Sequence, residues 1–249
     1  MRELIVAVLA VLAGTMGAFG AEGPDCAVAG HLVGAEYPLA RVATAIDQRR
    51  ELTIAVVGAG SSSLAGDPNL AYPAQLQRLL ARQLPNVKTK LVMNVKPRRT
   101  AVEMGEVFAK LLMDEKPDLV VWQSGTFDAI AGVDPDNFRK ALDEGIETLH
   151  DGGADVILMN MQYSPRTETM IAVQAYADGM RLVSQQWETP LMDRFNVMKH
   201  WSEAGTFDFY KATKKLEMAA RIHECIAQLL ADVIHEGAKL SREQPKTVQ

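Results

Sequence analysis

Short apolar runs alternate with amphipathic segments along most of the chain. Leu52–Val57 is a β-branched run that ends at Gly58, which is typical of a buried parallel strand. Leucines at helical spacing predict a helix over residues 72–84. The same patterns predict strands at 87–93, 118–123, 155–159 and 189–192, and helices at 101–114, 135–149, 167–187 and 212–235.

Strand and helix thus alternate, which indicates an α/β fold with a central parallel sheet of about five strands, covered on both faces in an α/β/α sandwich. Such sheets bind ligands beyond the carboxyl ends of their strands. Binding or catalytic residues are therefore expected in the loops that begin near Gly58, Asn94, Ser124, Asn160 and Phe207.

The first residues have the pattern of a secretion signal. Arg2 precedes an apolar run from Leu4 to Phe19, and small residues stand before Ala21. Cleavage there predicts a periplasmic or secreted protein, and an uncleaved anchor is the alternative. We divide the chain into a signal peptide (1–20), an N-terminal arm (21–50), a main domain (51–236) and a polar tail (237–249).

The net charge bears on the class of ligand, and the cysteine content bears on disulfide bonding. The formal net charge of the 249 residues is −5, which argues against a general nucleic-acid binder. The two cysteines, Cys26 and Cys225, stand near opposite ends of the mature chain. In an oxidising compartment they are expected to form a disulfide, and two buried free thiols are the alternative.

The loop after the first strand resembles the first sequence block of SGNH (GDSL-type) hydrolases. Gly60-Ser61-Ser62-Ser63 is closest to an exported bacterial group that has Gly-Ser-Ser-Ser in place of Gly-Asp-Ser. The likeness covers essentially the whole mature chain. It continues through Tyr72-Pro73, Lys116–Thr126, Gly153–Met159, Gln162–Pro165 and Cys225–Ala231. The resemblance implies the flavodoxin-like SGNH-hydrolase fold and places Ser62 at the position of the nucleophile.

Ester hydrolysis by serine needs a base and hydrogen-bond donors for the oxyanion. In the family these are a histidine oriented by an aspartate, the serine amide, a glycine amide and an asparagine. At the corresponding positions this chain has Lys96 for the glycine, Phe127 for the asparagine, Lys214 for the aspartate and Glu217 for the histidine. The resemblance therefore indicates a catalytically degenerate member, a pseudoenzyme.

The leading hypothesis is a non-catalytic protein that binds a small molecule, a glycan or an envelope protein at the former active-site cleft. Basic residues on two loops would favour an anionic ligand, although solvated surface lysines are the plain alternative. The candidate ligand-binding residues are Ser61, Ser63, Lys96, Arg98, Arg99 and Lys214.

An active serine ester or acyl hydrolase is the alternative function, with Ser62 served by Lys96, Lys214 or Glu217 as a substitute base. No cofactor is expected. No metal is expected either, because the five histidines do not stand at metal-ligand intervals from acids. His223 falls within the last predicted helix, where we expect it at a helix surface or interface.

Overall fold

The computed structural model, which describes residues 26–210 and 216–243, confirms the α/β fold. All five strands are parallel, in the order β2-β1-β3-β4-β5. The strands are β1 (Glu51–Gly58), β2 (Lys88–Val95), β3 (Leu119–Gln123), β4 (Asp155–Met159) and β5 (Leu191–Met192). Each begins and ends within two residues of a predicted strand. The predicted signal peptide lies outside the described residues.

Helices cover both faces of the sheet, as a parallel sheet requires. Helices α1, α2 and α10 pack together, as do α3, α4, α6 and α8. The helices are α1 (Ala40–Thr44), α2 (Tyr72–Gln83), α3 (Ala101–Gly105), α4 (Phe108–Glu115), α5 (Thr126–Ala131), α6 (Pro135–Asp151), α7 (Pro165–Met170), α8 (Val173–Gln186), α9 (Arg194–Glu203) and α10 (Leu216–Glu243). Within the part of the chain that the structure describes, no helix has both the length and the apolar character needed to cross a bilayer.

The N-terminal arm is built into the core. Leu39 and Val42 are buried, and the Leu39 amide donates to the carbonyl of Gly237 on α10 at 2.9 Å. A Cβ atom at Gly237 would lie 2.7 Å from the Leu39 side chain, so the glycine permits this close approach. The predicted disulfide is confirmed: Cys26 and Cys225 are bonded, with Cα atoms 5.2 Å apart.

The single helix predicted over 167–187 is wrong. Helix α7 ends at Met170, Ile171 is extended (φ −134°, ψ 146°), and α8 begins at Val173. The Val173 amide donates to the Ile171 carbonyl at 2.8 Å, so the chain turns sharply while the apolar spacing continues. Met170, at the end of α7, is 66% exposed. The helix predicted over 101–114 is likewise divided, after Gly105, which is a poor helix former.

Helix α10 runs further than its apolar pattern indicates. Gly237 and Ala238, at the start of the predicted polar tail, are buried within it. The helix ends at Glu243, and residues 244–249 lie outside the described part of the chain.

Candidate functional site

The serine loop follows β1 as one tight turn, Gly60–Ser62. Ser62 is fully buried, and its hydroxyl donates to Oε1 of Gln123. Oγ of Ser62 in turn accepts a hydrogen bond from the Tyr72 hydroxyl at 3.2 Å. The Gln123 amide nitrogen donates to the Ser61 hydroxyl. The nucleophile-position hydroxyl is therefore part of a buried hydrogen-bond chain, whereas Ser61 and Ser63 line a cavity.

Replacing Ser62 with alanine is expected to lower the free energy of unfolding by about 1–3 kcal/mol, because the partner groups on Gln123 and Tyr72 are left unpaired. Ser63 is the matched control, since its exposed hydroxyl bonds only the nearby Gly60 carbonyl. Ser63→Ala should change stability by less than about 0.5 kcal/mol. Urea unfolding measures both, and equal effects of the two variants would contradict a structural role for the Ser62 hydroxyl.

The loop after β2 carries the predicted basic residues. The Lys96 amide donates to the carbonyl of Gly58 at 3.1 Å, so this loop is fixed next to the end of β1. The side chains of Lys96 and Arg98 are exposed. Arg99 is buried, and its guanidinium donates to the carbonyl and side chain of Asn94, both at 3.0 Å. Arg99 thus braces its own loop, and Lys96 and Arg98 are the exposed cations of this loop.

Phe127, which the sequence resemblance aligns with the family's asparagine, is half-buried at the start of α5. Its neighbour Asp128 is buried and accepts hydrogen bonds from the amides of Ala101, at 2.7 Å, and Gly125, at 3.2 Å. Burial raises the pKa of Asp128 above its usual range. Asp128 therefore ties the beginnings of α3 and α5 together, and Phe127 contributes no hydrogen-bond donor from its side chain.

Lys214 lies outside the described residues, and Glu217 is exposed at the start of α10. The α10 residues that line the cavity are Met218, Ala219, Ile222 and His223.

His223, expected at a helix surface or interface, is only 6% exposed and lies where α10 contacts the start of α2. Its Nδ1 accepts the Tyr72 amide at 2.9 Å, and the two rings stack. Burial, together with the nearby Arg194, lowers the pKa of His223 to about 3. At neutral pH the imidazole is therefore neutral, with its proton on Nε2, and serves as a donor rather than a base.

Arg194 is the functional candidate that the sequence analysis missed. It begins α9, directly after β5, and is fully buried. Its guanidinium donates to the Ser61 carbonyl at 3.2 Å and to Oε1 of Gln162 at 3.3 Å. Its Cζ lies 5.9 Å from the centre of the Tyr72 ring. The sequence signal that could have indicated Arg194 is its position just after a predicted strand. That strand is short, and the loop after it is not among those expected to bind ligands.

Ser61, Arg194 and His223 help to line a cavity of about 480 Å³ at the carboxyl edge of the sheet. Its lining is partly polar and partly apolar. Its polar residues are Ser61, Ser63, Gln162, Arg194 and His223, and its larger apolar residues are Leu64, Met198, Phe209, Met218 and Ile222. Among the described residues, no group of three or more His, Cys, Asp or Glu side chains could hold a metal ion.

A five-stranded parallel sheet with a serine loop after its first strand defines an SGNH/GDSL-type hydrolase fold. The chain belongs to the non-GDSL lipase-like family, which matches residues 25–240. A comparison with curated proteins gives no match.

Solved structures share this fold at low sequence identity. The chain is similar to TesA, with 24% identity and a TM-score of 0.58, over 73% of this chain and 99% of that one. It is similar to a lipase/acylhydrolase from Enterococcus faecalis, with 18% identity and a TM-score of 0.58, over 79% and 100%. A two-domain esterase active on acetylated mannans gives 17% identity and a TM-score of 0.65, over 83% and 57%.

Proposed function

We propose that this protein is exported and binds an anionic ligand, without catalysis, in the cavity beside its serine loop. One observation carries the proposal: the Ser62 hydroxyl is enclosed by Gln123 and Tyr72 instead of facing the cavity. The sequence resemblance aligns Phe127 with the family's asparagine and the exposed Glu217 with its histidine, which supports the loss of catalysis. Loss of one oxyanion donor costs about 3–4 kcal/mol of transition-state stabilisation, and loss of the base adds to this. The disulfide supports export, because such bonds persist in oxidising compartments.

A fluorophosphonate probe and short p-nitrophenyl esters test the absence of catalysis. We expect neither labelling nor turnover, with an active esterase of the same fold as the positive control. Labelling that disappears in Ser62→Ala would establish the alternative, a hydrolase that uses the family serine. Labelling that disappears only in Ser61→Ala would instead assign a nucleophile to the hydroxyl that lines the cavity.

Lys96, Arg98 and Lys214, which we call the cationic rim, are tested with an acidic polysaccharide. We expect polygalacturonate to retain the protein in a salt-sensitive manner, and Lys96→Ala/Arg98→Ala/Lys214→Ala to weaken retention at least about tenfold, because separate charge contacts are lost together. Arg82→Ala/Lys88→Ala/Lys90→Ala removes the same charge away from the serine loop and should have little effect. Equal retention of both triple variants would contradict a role for the rim.

A further inference from the structure

Arg194 carries a positive charge that no described carboxylate neutralises. Among the described residues, its partners are a neutral carbonyl and a neutral amide oxygen, and its buried Nε has no hydrogen-bond partner there. Burial lowers the pKa of Arg194 to about 10, so the guanidinium stays protonated at neutral pH. A buried ion without a counter-ion is strongly unfavourable, and proteins rarely keep one without a use.

The surroundings of Arg194 indicate what would supply the counter-charge. Arg194 is the one cation among the described residues that line the cavity, and no described acid lines it. His223 is neutral at physiological pH and adds a donor, and the Ser61 hydroxyl adds another polar group. One buried guanidinium with neutral donors suits a singly charged, planar anion, because an arginine fork pairs naturally with a carboxylate.

Most of the other large side chains that line the cavity are apolar. Met198, Phe209, Met218 and Ile222 contribute to its wall, and methionines adapt to varied shapes. A volume of about 480 Å³ is within the range of small-molecule sites. Such a wall offers few hydrogen bonds to a sugar and a large contact area to a hydrocarbon chain.

We propose that the cavity binds an amphiphilic monocarboxylate, with the carboxylate at Arg194 and the hydrocarbon part against Met198, Phe209, Met218 and Ile222. This inference rests on the proposed binding function and specifies its ligand. It differs from the rim hypothesis in assigning the anion to a buried arginine instead of to Lys96 and Arg98.

Calorimetry with straight-chain carboxylates from butyrate to octanoate tests the inference. Affinity should rise about fourfold per added methylene, as hydrocarbon burial requires. Octanol, which has the same chain without the charge, should bind at least about tenfold more weakly than octanoate. Arg194→Met keeps the length of the side chain and should reduce octanoate affinity at least about tenfold, whereas Arg82→Met, at an exposed position on α2 that does not line the cavity, should leave it within about twofold.

The apo melting temperature of Arg194→Met serves as the folding control, and Arg194→Lys, which keeps the charge, should retain part of the affinity. Equal octanoate affinity in folded Arg194→Met, or equal binding of octanol and octanoate, would overturn the assignment. Loss of octanoate binding in Arg98→Met alone would move the anion site to the rim. If wild-type protein binds polygalacturonate and no alkyl carboxylate, this inference fails while the proposed binding function stands.

Discussion

Replacing Cys26 and Cys225 together with alanine is expected to lower the free energy of unfolding by about 3–5 kcal/mol. The bond joins residues separated by 199 positions, so its loss frees almost the whole domain in the unfolded state. Urea unfolding of wild-type protein, with and without reductant, and of the double variant measures the effect. Reductant should destabilise wild-type protein and leave the double variant unchanged. A double variant as stable as wild type would show that the packing of Leu39 on α10 alone holds the arm.

The contribution of Asp155 to the free energy of unfolding is expected to fall as the pH rises from about 4 to 6, while the lowered pKa of His223 acts in the opposite direction. Burial raises the pKa of Asp155 from 3.8 to about 6. Between these values the folded state holds the proton that the unfolded state has released, so Asp155 stabilises the fold below pH 3.8 and loses this contribution as the pH passes 6. The change is up to about 3 kcal/mol.

Asp155→Asn isolates this contribution. One Asp155 oxygen accepts the amides of Arg41 and Val42, at 2.9 and 3.0 Å, and the asparagine oxygen can accept both. The stability of the variant relative to wild type should therefore rise between pH 4 and 6.5 and then stay constant, as urea unfolding at each pH would show. Asp232→Asn, at an exposed position on α10, should follow the wild-type profile. Parallel profiles for Asp155→Asn and wild type would refute the shifted carboxyl.

The sequence predicts the sheet well because its signals are local. A β-branched run such as Leu52–Val57 has few alternatives to a buried strand, and the strand endings follow from the glycines and polar residues beside them. Helix continuity is harder to predict. The apolar spacing over 167–187 continues through the extended Ile171, so periodicity alone does not show the break.

The site was only partly predictable, because its polar contacts join distant segments. Ser61 and Ser62 are adjacent and chemically identical, yet one lines the cavity and the other is buried. Both hydroxyls bond Gln123 at the end of β3, and that of Ser62 also accepts the Tyr72 hydroxyl. Likewise, His223 is held by a hydrogen bond from the Tyr72 amide, 151 residues away in sequence. Arg194 is held by its hydrogen bond to the Ser61 carbonyl, 133 residues away. No local pattern encodes such pairings.

Tyr72 contacts Ser62, His223 and Arg194, and so joins the polar groups in and beside the cavity into one cooperative unit. Its hydroxyl donates to Ser62, its amide to His223, and its ring lies near the Arg194 guanidinium. A displacement of any of these groups is transmitted through one rigid aromatic side chain to the others. Energetic effects of substitutions among them will therefore not add, and the contribution of each group has meaning only when the others are held fixed.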